Sequence, residues 1–300
     1  VTLTFFIERN LNMFQADFHP YLVPFDGGFK VAEAPTMPDE DVSDSKAWKK
    51  KLEDEKKRLG RWQHKLYADD RYAVLVVFQA MDAAGKDSTI RHVLTGINPA
   101  GVRVTSFKRP STTELNHDFL WRGVLALPER GEVGVFNRSY YEEVLVVRVH
   151  PGILESQRLP QPIGENIWAN RCRSIVDHER HLAEQGTVVL KFWLNVSKEE
   201  QRQRFLKRIE RPNKRWKFNA GDVDEREHWD AYMSAYESCL NATSRPWAPW
   251  YAIPADDKPF TRWQVAELIN RAFEQLDVDF PILGPEATAG LLESKARLSK

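Results

Sequence analysis

The sequence predicts an α/β fold in which helices cover both faces of a mainly parallel sheet. Three observations carry that prediction. Apolar runs of strand length, Tyr72 to Phe78, Val102 to Phe107, Gly134 to Asn137, Thr187 to Leu194 and Trp250 to Ile253, alternate with stretches whose apolar residues recur at helical spacing. The first run empties into a loop of small residues, Gln79-Ala-Met-Asp-Ala-Ala-Gly-Lys-Asp-Ser-Thr89, that opens a helix. Polar residues follow the third run directly, at Asn137-Arg138, on the edge where a parallel sheet binds its ligand.

At 300 residues and 42% hydrophobic content, the chain can bury the core of one large domain or two modest ones. The 43 basic and 43 acidic residues cancel, which argues against nucleic acid or a membrane as partner, so an anion site must come from local clustering. No stretch of about 18 apolar residues is present. Cys172 and Cys239 lie far apart without metal-ligand spacing, and this predicts a reducing, cytoplasmic location. Residues before Met13 read as a dispensable leader.

In chain order, residues 14 to 45 hold Pro20, Pro24, Gly27, Gly28, Pro35 and Pro38 and then an acidic run from Asp39 to Asp44, the composition of an extended arm. Ser45 can cap the following helix, over 46 to 67, whose Trp48, Leu52, Leu59, Trp62 and Leu66 form one apolar face interrupted by Glu55. That face packs on the core or on a second subunit, making a homo-oligomer, dimer or tetramer, an expectation. The arm and this helix make an N-terminal segment, 1–70, laid on a core of 71–300.

Within the core, Ile90, Val93 and Leu94 continue the helix after the loop until Asn98-Pro99-Ala-Gly101 ends it. Ser111-Thr-Thr-Glu114 forms a capping box for a helix carrying Leu115, Phe119 and Leu120. Residues 151 to 164 read as a surface loop, and 166 to 185 as a helix with Ile167, Ile175 and Leu182 inward and Arg171 and Arg173 pointing elsewhere. Ser197-Lys-Glu-Glu200 is a second capping box, opening a helix through Ile209. From Arg202 to Lys217 eight basic residues face one acid, Glu210, with Pro212 and Asn213 breaking the run into two helices. After a last helix, from Thr261 to about Leu276, a Pro- and Gly-containing tail closes the chain.

The chemistry starts at the loop. A strand feeding small residues and a helix start leaves backbone N–H groups pointing at whatever sits there, and an anion suits them. Against the pattern G-x-x-x-x-G-K-[ST], Gly85-Lys86 matches, Ala80 replaces the first Gly and Asp87 replaces the hydroxyl residue. The phosphate-binding set is therefore Ala84, Gly85, Lys86, Asp87, Ser88 and Thr89, with Lys86 reaching a terminal phosphate. Asp82 is an acid in an anion loop, which implies Mg²⁺ or a proton-transfer role, helped by Ser88 or Thr89, against the plainer reading of a turn residue. Asn137 stands where a carboxylate normally holds the metal. Arg138 can neutralise charge on a transferring phosphoryl group, or simply pair with Glu142 or Glu143. The run at 202–217 fits a lid closing arginines, among them Arg204, over phosphates, or a solvated helix face. Lys108, Arg109, Arg122, Arg171 and Arg173 could line a phosphate path.

FQAMDAAGKDSTIRHV, FNRSYYEEVLVVRVHP, the basic run and WAPWYAIPADDK together resemble the polyphosphate kinase 2 family over roughly residues 20 to 275. Asn137 in Asn-Arg-Ser-Tyr-Tyr-Glu, where other members have Asp, is similar to the class III branch. The resemblance implies a three-layer P-loop kinase-like fold with a helical lid at about 202–220. It also implies Mg²⁺-dependent, reversible transfer from inorganic polyphosphate to AMP or ADP, forming ADP or ATP. Carried onto this chain, Asp82 orients metal and the attacking oxygen, Lys86 and Arg138 hold the transferred group, and Arg208 and Arg211 close over it. Lys108, Arg109, Arg122, Arg171 and Arg173 become a polyphosphate channel, and Glu142 a nucleoside contact. Two other readings compete: an ATP-dependent nucleoside-monophosphate kinase, and a non-catalytic module that senses nucleotide or polyphosphate.

Overall fold

In a computed structural model, which describes residues 13–39, 45–160, 162–219 and 221–299, five strands form one all-parallel sheet. They are β1 (Ala73–Gln79), β2 (Val102–Ser106), β3 (Val133–Asn137), β4 (Thr187–Asn195) and β5 (Trp250–Pro254), in the spatial order β2-β3-β1-β4-β5. β1 is buried at every position, which is why its sequence is a continuous apolar run rather than an alternating one. From β1 the chain runs to one side for β2 and β3 and to the other for β4 and β5. The carboxyl end of β1 therefore lies at the switch point where such sheets open a crevice. The acidic stretch at 40–44 and everything before Met13 lie outside the described residues.

The helices are α1 (Ser45–Asp69), α2 (Lys86–Leu94), α3 (Thr112–Leu115), α4 (Trp121–Val124), α5 (Val146–Val149), α6 (Ile153–Ser156) and α7 (Ile167–Glu184). They continue with α8 (Lys198–Glu210), α9 (Gly221–Glu227), α10 (Trp229–Thr243), α11 (Lys258–Glu274) and α12 (Pro285–Leu298). The apolar face of α1 is covered from within the chain. Trp48 stacks on Trp263 with ring centroids 4.6 Å apart, and Trp62 lies parallel to Phe273 of α11. Glu55, which breaks the apolar pattern, accepts from Asn270 of α11 through both its backbone and side-chain oxygens. This face is thus unavailable to a second subunit. The arm lies along β5: Val23 N–H donates to Trp250 O at 2.9 Å and Ala252 N–H to Tyr21 O at 2.8 Å, closing an edge that would otherwise be open.

Five expectations are corrected. Ser45 is the first residue of α1 rather than its cap. The helix expected to carry Leu115, Phe119 and Leu120 is two single turns, α3 and α4. The Ser111–Glu114 capping box forms in full, but Asp118 Oδ1 takes the Leu120 N–H and restarts the chain. The tail contains α12, an exposed helix, and the loop 151–164 contains α6. In the second proposed box, Ser197 accepts from Glu200 N–H, while the Glu200 carboxylate turns to Arg204.

Candidate active site

The loop between β1 and α2 takes its shape from two left-handed residues, Ala83 (φ 63°) and Gly85 (φ 112°). Ala80 is not one of them, so the missing first glycine costs the loop nothing. By position, the N–H groups of Lys86, Asp87 and Ser88 open α2 without intrahelical partners; the first helical bond is Thr89 N–H to Gly85 O. Lys86 is buried at 7% exposure and its ammonium donates to Ala80 O at 2.6 Å, so its charge sits against the loop backbone. Burial, aided by Arg138, pushes its pKa down to about 8, against the opposing pull of Asp82, Glu142 and Asp87.

Arg138 follows β3 in a left-handed conformation (φ 63°), a costly state for a residue with a β-carbon. Its N–H extends the sheet ladder to Phe78 O at 3.0 Å, while its guanidinium donates to Asp82 Oδ1 at 2.7 Å and lies 3.6 Å from Glu142 Oε2. Burial works against that charge, but the two carboxylates prevail and raise its pKa. Burial also raises Glu142, against Arg138 and Lys86. The Gln79 amide, its nitrogen turned toward Glu142 Oε1 at 2.9 Å, accepts from the Ser139 hydroxyl with its oxygen. Asn137 donates to Asp87 Oδ1 at 2.8 Å. The Ser88 hydroxyl accepts from Arg262 of α11 at 2.6 Å, and Thr89 is buried.

Ala80, Met81, Asp82, Arg138 and Glu142 line one pocket, whose far wall comes from α8, α9 and α10: Gln201, Asp222, Glu225, Arg226, Tyr232 and Tyr236. Gln201 donates to Asp82 O at 2.9 Å and accepts from Arg226 at 2.9 Å. Burial and the facing Asp82 carboxylate raise the pKa of Asp222. Glu225 takes the Tyr232 hydroxyl at 2.7 Å and His150 at 3.0 Å, tying α9 to the rest of the wall. The pocket sets Arg138 among convergent carboxylates, with the buried Lys86 ammonium behind Ala80 and the open backbone donors of α2 beside it, the equipment for moving a phosphoryl group.

The model of the polyphosphate kinase 2 family matches residues 42–281. The chain belongs to that family. An ADP-polyphosphate phosphotransferase from Rhodopseudomonas palustris is 52% identical over 268 residues, covering 89% of this chain and 93% of that protein. An AMP/ADP-polyphosphate phosphotransferase from Meiothermus ruber is 47% identical, covering 75% of this chain and 80% of its own length. The crystal structure of polyphosphate kinase 2 from Arthrobacter aurescens superimposes with a TM-score of 0.78 at 34% identity, over 95% of this chain and 96% of that one.

The polyphosphate kinase 2 resemblance grouped basic residues that the structure separates. Arg204, expected in a lid, is buried beneath the loop, where it donates to Ala83 O, Ala84 O, Ala255 O, Asp256 O and Glu200 Oε1 at 2.6 to 3.1 Å. All five of its donors are engaged, and none is left for a ligand. Arg208 stands 3.5 Å from Asp222, at the pocket wall, and Arg211 is exposed at the end of α8.

The five residues expected to form one channel do not form a single track. Lys108 and Arg109 are exposed beyond β2. Arg122 is buried and donates to Lys108 O at 2.8 Å. Arg171, expected to point away from the core, is 4% exposed and pairs with Glu143 at 3.1 Å. Arg173, two residues on and about 200° around α7, is exposed and bonds Asn170. Arg122, Arg171 and Glu143 share a second pocket with Pro110, Phe119 and Gln157. Glu142 thus faces the phosphate loop, and its neighbour Glu143 faces the second pocket.

The sequence reading missed Gln201, Asp222, Glu225, Arg226, Tyr232 and Tyr236. The signal for the last two lay in α10, where Tyr232, Ala235, Tyr236 and Cys239 recur at helical spacing on the buried face.

Proposed function

We propose that the chain transfers a phosphoryl group reversibly between inorganic polyphosphate and AMP or ADP, forming ADP or ATP. The observation that carries this reading is the Arg138–Asp82 pair in one pocket at the carboxyl ends of β1 and β3, with the Lys86 ammonium buried directly behind it against Ala80 O and the open N–H groups of α2 beside it. Both named relatives carry polyphosphate phosphotransferase in their names, which supports the same donor. The donor bears about one charge per phosphate, so catalysis rests on positioning and charge neutralisation.

Mg²⁺ fits this site. Among the described residues no cluster of three metal-ligating side chains exists, and none is needed, because Mg²⁺ is commonly held by one or two carboxylates plus substrate phosphates. Asp82 and Asp222 line the same pocket, each beside one arginine, and burial together with the Asp82 charge raises the pKa of Asp222, so a cation between them would be favoured. These two would hold the metal, which neutralises phosphate charge when bound. Asp82 orients the attacking phosphate oxygen, Lys86 and Arg138 bind the transferred group, and Arg208 and Arg226 close the pocket against water. The acceptor's nucleoside end fits the second pocket, where Phe119 offers a ring and Glu143, Gln157 and Arg122 offer polar partners.

We place the protein in the cytoplasm; no described helix is long and apolar enough to cross a membrane, and both cysteines are free and buried. A homo-oligomer, dimer or tetramer, draws support from α12 and its approach, where Ile282, Leu283, Leu291, Leu292 and Leu298 are exposed.

The test is a time course with Mg²⁺, polyphosphate and AMP as the only additions and ADP and ATP resolved as products. Product formation that disappears in Asp82→Asn and Lys86→Ala is expected. No product from the wild type, or full-rate transfer between nucleotides without polyphosphate, would overturn the reading.

A further inference from the structure

Beneath the turn that carries Arg138 and Glu142 lies a buried ionic network with no route to substrate. Lys191, in the middle of β4, is 0% exposed, and Glu179 of α7 is 1% exposed. The Lys191 ammonium donates to Glu179 Oε2, to the Tyr141 hydroxyl at 3.0 Å and to Thr243 O at 2.9 Å. Glu179 Oε1 accepts from both the Tyr140 and the Tyr141 hydroxyls, at 3.0 and 2.9 Å. Every ammonium donor and both carboxylate oxygens are engaged, and both tyrosines are fully buried.

Stability does not account for this arrangement. Removing two charges from water costs several kcal/mol per ion, and apolar residues of equal volume commonly serve a core as well or better. What the network supplies is direction. Ser139 and Arg171 hold the backbone of the turn at Tyr140–Val144, and the two hydroxyls fixed on one Glu179 oxygen add a tie from its rings to α7 and, through Lys191, to β4. The residues flanking those rings are the ones whose aim matters: Arg138 two positions before Tyr140, and Glu142 immediately after Tyr141. Arg138 has a side chain 39% exposed; Phe78 O and Asp82 hold it from the β1 side, and Glu142, carried by the turn, holds it from the other. A misplacement of about 1 Å at such a group can cost about a hundredfold in rate.

We infer that Glu179 and Lys191, acting through the Tyr140 and Tyr141 hydroxyls, are positioning residues that aim Arg138 and Glu142 at the transferring phosphoryl group. The role rests on the phosphotransferase reading above. It divides the Asn-Arg-Ser-Tyr-Tyr-Glu segment into an upper half that meets phosphate and a lower half that anchors it.

The test replaces the charge pair by apolar residues of similar size, Glu179→Leu with Lys191→Met, in the full chain. The expected variant folds with a melting temperature near that of the wild type. Its kcat falls about tenfold or more, while KM for nucleotide and for polyphosphate each change less than about threefold. In an Arg138→Lys background the same pair of substitutions is expected to cost less than about threefold, because the aim they disturb is already lost. A purely structural pair would give additive losses. Tyr140→Phe with Tyr141→Phe, which keeps the rings and the ion pair, is the second variant and is expected to show the same kcat loss. A folded variant with wild-type kcat, additive losses in the Arg138→Lys background, or failure of both variants to fold would each overturn the inference. Wild-type transfer is measured alongside: its absence removes the phosphotransferase reading, and its presence with unimpaired variants removes only the positioning role.

Discussion

The Asn137 amide donates to the Asp87 carboxylate at 2.8 Å, joining the tip of β3 to the first turn of α2. In the general phosphate-loop pattern a hydroxyl stands at the second of these positions and a carboxylate at the first. Here the carboxylate has crossed the gap and the hydrogen bond runs the other way. Asn137→Asp would set two carboxylates at contact distance, replacing a hydrogen bond by a like-charge repulsion that raises the pKa of one of them and pushes the tip of β3 from α2. We expect kcat/KM to fall by about tenfold or more at pH 7 and to recover partly when Asp87→Ser is added. Steady-state kinetics of the two single variants and the double variant check this.

Lys86 predicts opposite pH trends for activity and stability. Its folded pKa, about 8, lies below the ordinary 10.5. Between those values the unfolded chain keeps a proton that the folded chain has lost, so this residue's contribution to stability rises with pH across that window. At pH 7 the buried charge is a burden of up to roughly 3 kcal/mol. Lys86→Met is expected to abolish transfer yet melt no lower than the wild type at pH 7, with its advantage shrinking from about pH 8 to 10.5. Wild-type kcat/KM should decline above about pH 8, as the lysine loses its charge in the free enzyme.

The strand runs, the loop and Arg138 were legible because each is local: buried parallel strands write continuous apolar runs, and a phosphate loop must follow one. Arg204 and Arg208 look alike in sequence, four residues apart on one helix. Their difference comes from what α8 lies against, loop carbonyls in one case and Asp222 in the other. Arg171 was misread for the same reason, since its partner Glu143 lies 28 residues away and no periodicity reports a buried ion pair. Glu142 and Glu143 are adjacent, yet the turn sends them into different pockets.

Arg204 makes the loop's shape depend on α8. Truncation leaves the Ala83, Ala84, Ala255 and Asp256 carbonyls without this donor in a buried place. Arg204→Ala is expected to destabilise by on the order of 3 kcal/mol and to reduce transfer with it. Exposed Arg211, replaced by Ala, should shift stability by no more than about 0.5 kcal/mol. Thermal melts of the two variants separate a loop support from a surface arginine about two turns further on, which charge patterning does not distinguish.

Under the proposed function, Phe119 is the residue whose loss tells the nucleotide end of the reaction from the donor end. Its ring is backed by the Arg171 guanidinium at 5.2 Å, and Arg171 is in turn neutralised by Glu143, so the pocket they share presents a braced ring rather than a net positive rail. A polyphosphate chain gains little from a guanidinium already paired, whereas a base can stack on the ring and bond to the polar atoms around it. Loss of one such stacking contact costs about 1 to 3 kcal/mol. Phe119→Ala is therefore expected to raise KM for the nucleotide about tenfold or more and to leave KM for polyphosphate within about twofold. The reverse pattern would assign this pocket to the donor chain instead, and would return Arg122 and Arg171 to the polyphosphate path.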